Sequence, residues 1–204
     1  MNAVRSRKPQ IVILAAGFSS RLGRPKPLAR VHGVSLLRRT LEVASSFAAD
    51  RMIVVVPRNA VRYRIEARGL KVRWAVNALR AQGLSSSVRR GIAAGRYASA
   101  ILLLPADLIR LKTRDLFKLV QRWHSTPRRL IARKVALSGA TPVILPRWLF
   151  ARASTLSGDV GLRELVGQLP VECRVLVAMP SAVSDVDTPQ DLREARRRFR
   201  RSAA

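Results

Sequence analysis

The sequence predicts a single three-layer α/β/α domain with a mixed, mainly parallel sheet of about seven strands. Three observations predict it. Short apolar runs alternate with amphipathic stretches along the whole chain. The apolar runs are rich in Val, Ile and Leu and mostly lack alternation, as strands buried on both faces do. The 204 residues, 48% of them hydrophobic, suffice for one sizeable core but not for two ordinary domains.

The strand-like runs are residues 10–14, 51–56, 71–76, 100–104, 130–132, 141–145 and 171–177. Helical patterns occupy 35–47, 60–68, 86–95, 113–123, 146–153, 161–169 and 189–200. Repeated strand–helix–strand order implies right-handed crossovers and a sheet covered on both faces. The last helix has a clear start. Thr188 can cap, Pro189 suits the first helical position, and Asp191 stands three residues after the cap. The domain is expected over 9–200, with 1–8 and 201–204 as loose ends.

Charge is the unusual feature. Lys and Arg number 39, of which 33 are Arg, against 12 Asp and Glu, for a net charge of +27. Such an excess attracts anionic ligands. The arginines are spread along the chain, however, and only the tail (Arg193, Arg196, Arg197, Arg198, Arg200, Arg201) is dense. Aromatics are 5%, so basic and aromatic residues do not interleave for base stacking, and specific nucleic-acid recognition is not expected. The single Cys173 excludes an internal disulfide and cysteine-rich metal sites and reads as packing. The apolar runs are far short of the roughly 20 residues of a membrane span. Arg5, Arg7 and Lys8 before the 11–17 run mimic a signal peptide, but the best motif follows directly, so a cytoplasmic protein is expected. His32 and His124 have no recognisable nucleophile partner and read as surface residues.

The motif is Ala15-Ala16-Gly17-Phe18-Ser19-Ser20-Arg21-Leu22-Gly23-Arg24-Pro25-Lys26, at the carboxyl end of the first strand. In open parallel sheets ligands bind there. Small residues admit a ligand close to the backbone, and successive N–H groups can cradle phosphates. Arg21 and Lys26 add a fork and a point charge for a polyphosphate. The string is neither a Walker loop nor GxGxxG.

This loop resembles that of the MobA-like NTP transferases, nucleotidyltransferases of the glycosyltransferase-A type. The molybdenum-cofactor branch with CTP:molybdopterin cytidylyltransferase is the nearest in pattern. The resemblance recurs from Ile11 to Leu192. Asn77 and Gly83-Leu84-Ser85-Ser86-Ser87-Val88 resemble the segment that closes over the nucleotide; Ser85 or Ser86 would equally cap a helix. Leu104-Pro105-Ala106-Asp107 resembles the strand ending in a metal-binding aspartate, although Ile109 stands where the family usually has Pro. Thr141-Pro142-Val143 resembles a segment that often begins with His. Ser157-Gly158-Asp159-Val160-Gly161 resembles a segment near the acceptor, where Asp159 would equally cap a helix. Asp185-Val186-Asp187-Thr188-Pro189 resembles the last station, and there too a plain helix start is an alternative.

The resemblance implies a Rossmann-like, nucleotide-diphospho-sugar transferase fold and the transfer of a nucleoside monophosphate, CMP from CTP, to the phosphate of molybdopterin. Arg21, Lys26 and Asp107 would be catalytic. Leu14, Ala15, Ala16, Gly17, Ser19, Arg21, Lys26, Asn77, Gly83, Ser85, Ser86 and Ser87 would contact the nucleotide. Asp107 and Asp187 would hold Mg²⁺, with Asp185 the alternative to Asp187. A molybdenum hydroxylase is the implied protein partner. Two other readings stand beside this one: a sugar phosphate or other small acceptor, and a catalytically weak cofactor-binding module.

Overall fold

The computed structural model describes residues 8–18, 22–134, 141–158, 161–179 and 188–201. The chain begins with β1 (Gln10–Leu14), a small hairpin of β2 (Arg30–Val31) and β3 (Val34–Ser35), α1 (Leu36–Ala48), β4 (Met52–Val56), α2 (Val61–Glu66) and β5 (Arg73–Val76). It continues with α3 (Leu84–Ala94), β6 (Ala100–Pro105), α4 (Thr113–Ser125), β7 (Leu130–Lys134) and β8 (Val143–Pro146). Last come α5 (Phe150–Ser154), α6 (Gly161–Gln168), β9 (Arg174–Ala178) and α7 (Pro189–Arg201).

The main sheet has seven strands in the order β5-β4-β1-β6-β8-β7-β9. Only β8 runs against its neighbours. In register, Leu14 lies beside Val55 on one side and Pro105 on the other, so β1, β4 and β6 end together. The continuous apolar runs are explained by burial on both faces. Ile11, Ile13, Val54, Leu102 and Leu104 face α1, α2 and α4, where Leu37, Tyr63 and Leu116 meet them. Val12, Leu14, Ile53, Val55 and Leu103 face α3, α5 and α6, where Val88, Phe150 and Leu165 meet them. A third, smaller core of Leu22, Ala29, Val31, Leu36, Ile109 and Leu192 ties together the segment after the glycine loop, the hairpin, the turn after β6 and α7. Ile109 therefore fills an apolar slot, which accounts for a large apolar residue at that position.

Helix α3 lies unusually close to the sheet. A Cβ on Gly91 would stand 2.5 Å from Val12 Cγ1 and 3.5 Å from Val55 Cγ2. Glycine there lets the helix descend, and with it the Ser85–Ser87 turn at its start.

Several sequence expectations change. The run 171–177 is a 3₁₀ turn at Val171–Cys173 before β9 begins, and Cys173 packs partly buried at its end. The 146–153 helix splits, because Pro146 ends β8 in extended geometry and a 3₁₀ turn Arg147–Leu149 precedes α5. The hairpin was not expected. His32 (φ 49°) and Gly33 (φ 76°) both adopt positive φ, the geometry that joins two strands through a two-residue turn. Helix α3 begins at Leu84 with Gly83 as its cap, and neither Ser85 nor Ser86 caps it. The start of α7 is as expected: Asp191 Oδ2 accepts from Thr188 N at 2.7 Å, and Asp191 N donates to Thr188 Oγ1 at 3.1 Å.

Candidate functional site

The glycine loop leaves the sheet between β4 and β6. Ala15 N–H donates to Val55 O at 2.9 Å, and Leu14 O accepts from Ala106 N–H at 3.2 Å. These bonds extend the sheet by one residue and hold the loop to the turn that carries Asp107. They also use the Ala15 N–H, so that group is not a spare donor for phosphate. Ala15 and Ala16 are buried, and Ala16 packs in the α3-side core. Gly17 and Phe18 are exposed. Ser19 and Arg21 lie outside the described residues, as do Asp159, Asp185 and Asp187. The chain resumes at Leu22, anchored in the third core, and passes through Gly23 at φ 67° to a 3₁₀ turn at Lys26–Leu28.

That turn brings Lys26 to Asp107. Lys26 Nζ stands 3.5 Å from Asp107 Oδ2, with the two side chains 15% and 22% exposed. A cation from the glycine loop and a carboxylate from beyond β6 thus meet where the parallel strands end. Both remain in reach of solvent, and both suit a polyphosphate and its counter-ion chemistry. Among the described residues no group of three His, Cys, Asp or Glu side chains gathers around a point.

The second expected cluster is different in kind. Asn77, Ser85, Ser86 and Ser87 are all buried. Asn77 Nδ2 donates to Ser86 Oγ at 2.8 Å and to Ser87 Oγ at 3.0 Å, and Asn77 Oδ1 accepts from Leu79 N–H at 2.9 Å. Ser86 Oγ donates to Gly83 O at 2.8 Å. Arg89 donates to Ser85 Oγ at 3.2 Å, to Gln82 Oε1 at 2.8 Å and to Leu156 O. Ser85 N–H donates to Gly158 O at 3.1 Å. The network fastens the end of β5 to the start of α3 and to the 156–158 segment. Gly83, at φ 84°, makes the turn into α3.

Two hollows border the site. A cleft of about 480 Å³ beyond β4 and β5 is lined by Pro25, Arg58, Arg62, Tyr63, Asn77 and Arg80, among others. A cavity of about 560 Å³ is lined by Phe18, Gln82, Gly83, Arg89, Ser157 and Gly158, with Ala81. Burial pushes the Tyr63 hydroxyl above the ordinary tyrosine pKa, and the nearby Arg80 and Arg62 charges partly offset that rise. Sequence reasoning missed Arg58, Arg80 and Arg89. In a chain with so many arginines no single one stands out, and only the fold gathers these at one edge. His32 and His124 stay outside the site: His32 Nε2 bonds Arg196 O at 2.8 Å, and His124 packs against Trp123. Among the described residues no helix is long and apolar enough to cross a membrane.

Known proteins share this fold. The structure of Rv0371c from Mycobacterium tuberculosis H37Rv is similar at TM-score 0.74 and 27% identity, covering 93% of this chain and 99% of that one. A structure of the same protein complexed with manganese gives TM-score 0.70 and 26% identity over 92% and 98% of the two chains. Molybdopterin-guanine dinucleotide biosynthesis protein A from Archaeoglobus fulgidus shares the fold at TM-score 0.70, with 15% identity over 94% and 98%. In sequence, 82 residues are 44% identical to the bifunctional IPC transferase and DIPP synthase of Rubrobacter xylanophilus. That match covers 37% of this chain and only 19% of that longer protein. The family model for the MobA-like NTP transferase domain matches residues 11–173, a span that runs from β1 through the glycine loop, Asn77 and Asp107 to the turn before β9. Both Lys26 and Asp107 lie within that span, and this chain belongs to the MobA-like NTP transferase domain family.

Proposed function

We propose that the protein transfers CMP from CTP to the phosphate of molybdopterin. An acceptor phosphate oxygen attacks the α-phosphorus in line, the α–β phosphoanhydride bond breaks, and pyrophosphate leaves. The acceptor oxygen is already ionised at neutral pH, so no general base is required. This agrees with histidines that lie away from the edge. The observation that carries the reading is the Lys26–Asp107 pair beside the glycine loop.

The donor set fits Mg²⁺. Hard oxygen ligands suit it, and it is commonly held by one or two carboxylates together with substrate phosphates rather than by a full protein cage. Asp107 would hold it, with Asp187 as the second ligand. When bound, the ion neutralises charge on the transferring and leaving phosphates. The chain's own part is positioning. Lys26 and Arg21 hold the triphosphate, and Gly17 admits it close to the backbone. Asn77 and the serines of α3 fix the floor on which the nucleoside rests.

The CTP preference rests on the Ala15-Ala16-Gly17 form of the loop, since the guanylyl branch has Gly at the second position. A second acceptor reading is favoured by Thr141, which replaces a frequent His, and by the 44% identity to a protein named for another transfer. In that reading the acceptor is a sugar phosphate or another small phosphorylated molecule. The test is purified protein with each of the four NTPs, Mg²⁺ and molybdopterin, with pyrophosphate measured. Release with CTP and molybdopterin supports the proposal. Release only with another acceptor moves it to the second reading, and no release with any NTP overturns it.

A further inference from the structure

A side chain that lines the cavity touches one that lines the cleft. Phe18, in the glycine loop, is 54% exposed. The Arg80 guanidinium stands 4.2 Å from the centroid of its ring. Arg80 opens the 3₁₀ turn Arg80–Gln82, which leads into Gly83 and α3. Phe18 lines the cavity and Arg80 lines the cleft. One cation–π contact thus joins the glycine loop to the turn in front of α3. Arginine suits this place. Its flat face stacks on an aromatic ring while its N–H groups point outward in the plane. Among the described residues no carboxylate forms an ion pair with Arg80.

We propose that Phe18 and Arg80 form a clasp that sets the position of the glycine loop over the nucleoside triphosphate, making them positioning residues for the donor and not for the acceptor. The proposal rests on the transferase reading. Without the stack, the loop loses its cation–π link to the turn that leads to Gly83. The donor then binds a less ordered loop.

Four variants test this: Phe18→Leu, Phe18→Tyr, Arg80→Gln and the double variant Phe18→Leu with Arg80→Gln. The first readout needs no ligand. Hydrogen exchange across residues 15–24 and 78–84 should speed up about two- to fivefold in Phe18→Leu and Arg80→Gln, the range expected for one exposed cation–π contact. Phe18→Tyr keeps the ring face and should exchange as the wild type does. The second readout is CTP binding and steady-state kinetics. Donor KM should rise by about the same two- to fivefold factor, with kcat and acceptor KM unchanged. The double variant should be no worse than either single one, because both singles remove the same contact. Unchanged exchange, multiplicative effects in the double variant, Phe18→Tyr failing as Phe18→Leu does, or an equal rise in acceptor KM would each overturn the clasp. A wild type that binds none of the four NTPs overturns the transferase reading and the clasp with it. A wild type that binds CTP while the variants match it overturns the clasp alone.

Discussion

Two polar clusters sit within one sheet edge, and they are built in opposite ways. Lys26 and Asp107 meet at 3.5 Å with both side chains partly open to solvent. Asn77, Ser86 and Ser87 are buried and bond to one another at 2.8 and 3.0 Å. An exposed ion pair contributes little to stability. A buried amide bridging two hydroxyls and a backbone N–H contributes more, because its loss leaves all of them unpaired. In sequence the two clusters look alike, as polar residues that follow strands. In the fold the first is suited to a charged ligand, and the second holds the scaffold that presents it.

Asp107→Asn gives the largest expected effect. It keeps the shape and removes the charge. Turnover should fall by about 10²- to 10³-fold, the usual scale for losing one electrostatic contact at a transferring group. The unfolding free energy should stay within about 0.5 kcal/mol of wild type, since the Lys26 contact is partly exposed. Turnover within a few fold of wild type, or a large drop in stability, would merge the two clusters into one structural class.

Asn77→Ala should do the reverse. Ser86 and Ser87 lose their donor and Leu79 N–H its acceptor. Stability should fall by about 1–3 kcal/mol in urea unfolding, the cost of buried groups left unpaired. The effect on turnover should be smaller than that of Asp107→Asn. A variant as stable as wild type but unable to bind CTP would show that Asn77 serves the ligand first.

These contrasts mark what the sequence made legible. β1, β4 and β6 were visible because burial on both faces leaves an unbroken apolar run, and α7 because its cap chemistry is local. The Lys26–Asp107 meeting followed from two loops at the ends of adjacent parallel strands. The hairpin was hidden because two-residue strands are too short to show a period, and because His32 is a non-glycine residue at positive φ. The mutual bonding of Asn77 with Ser86 and Ser87 was hidden because pairing across a turn leaves no trace in residue type. Ala16 was expected beside the base, yet its methyl is fully covered by the α3-side core.

The Ala16 finding sharpens the donor prediction. A methyl covered by the core would act on a nucleotide through the spacing of the loop against α3, not by direct contact. The wild type should prefer CTP over GTP by about tenfold in kcat/KM, about 1.4 kcal/mol. Ala16→Gly should relax that preference and also lower stability by about 1 kcal/mol, since it removes a buried methyl and adds backbone freedom. Competition between CTP and GTP at fixed acceptor measures it. Equal use by the wild type would remove the loop as the selector.

The smallest effect is expected farthest from both clusters. The Arg196 guanidinium donates to Arg30 O at 3.0 and 3.2 Å, and Arg196 O meets His32 Nε2 at 2.8 Å. These bonds join α7 to the hairpin, but they are exposed. The apolar hold on α7 comes earlier, from Leu192 in the small core that also contains Leu22 and Ile109, with Ala195 against it. A chain ending at Ala195 therefore keeps that core and, among the described contacts, loses the exposed bonds of Arg196. Its stability should fall by no more than about 1 kcal/mol. Turnover should be nearly unchanged, because the described bonds of Arg196 go to the hairpin and not to the Lys26–Asp107 edge. Retention on heparin should weaken, since the densest run of arginines is gone. Truncation before Leu192 should act differently: it opens the small core beneath Leu22 and Ile109, and through them it loosens both flanks of the Lys26–Asp107 edge. If the shorter tail deletion alone abolished turnover, α7 would belong to the site itself, and the separation between an open charged pair and a closed supporting scaffold would no longer hold.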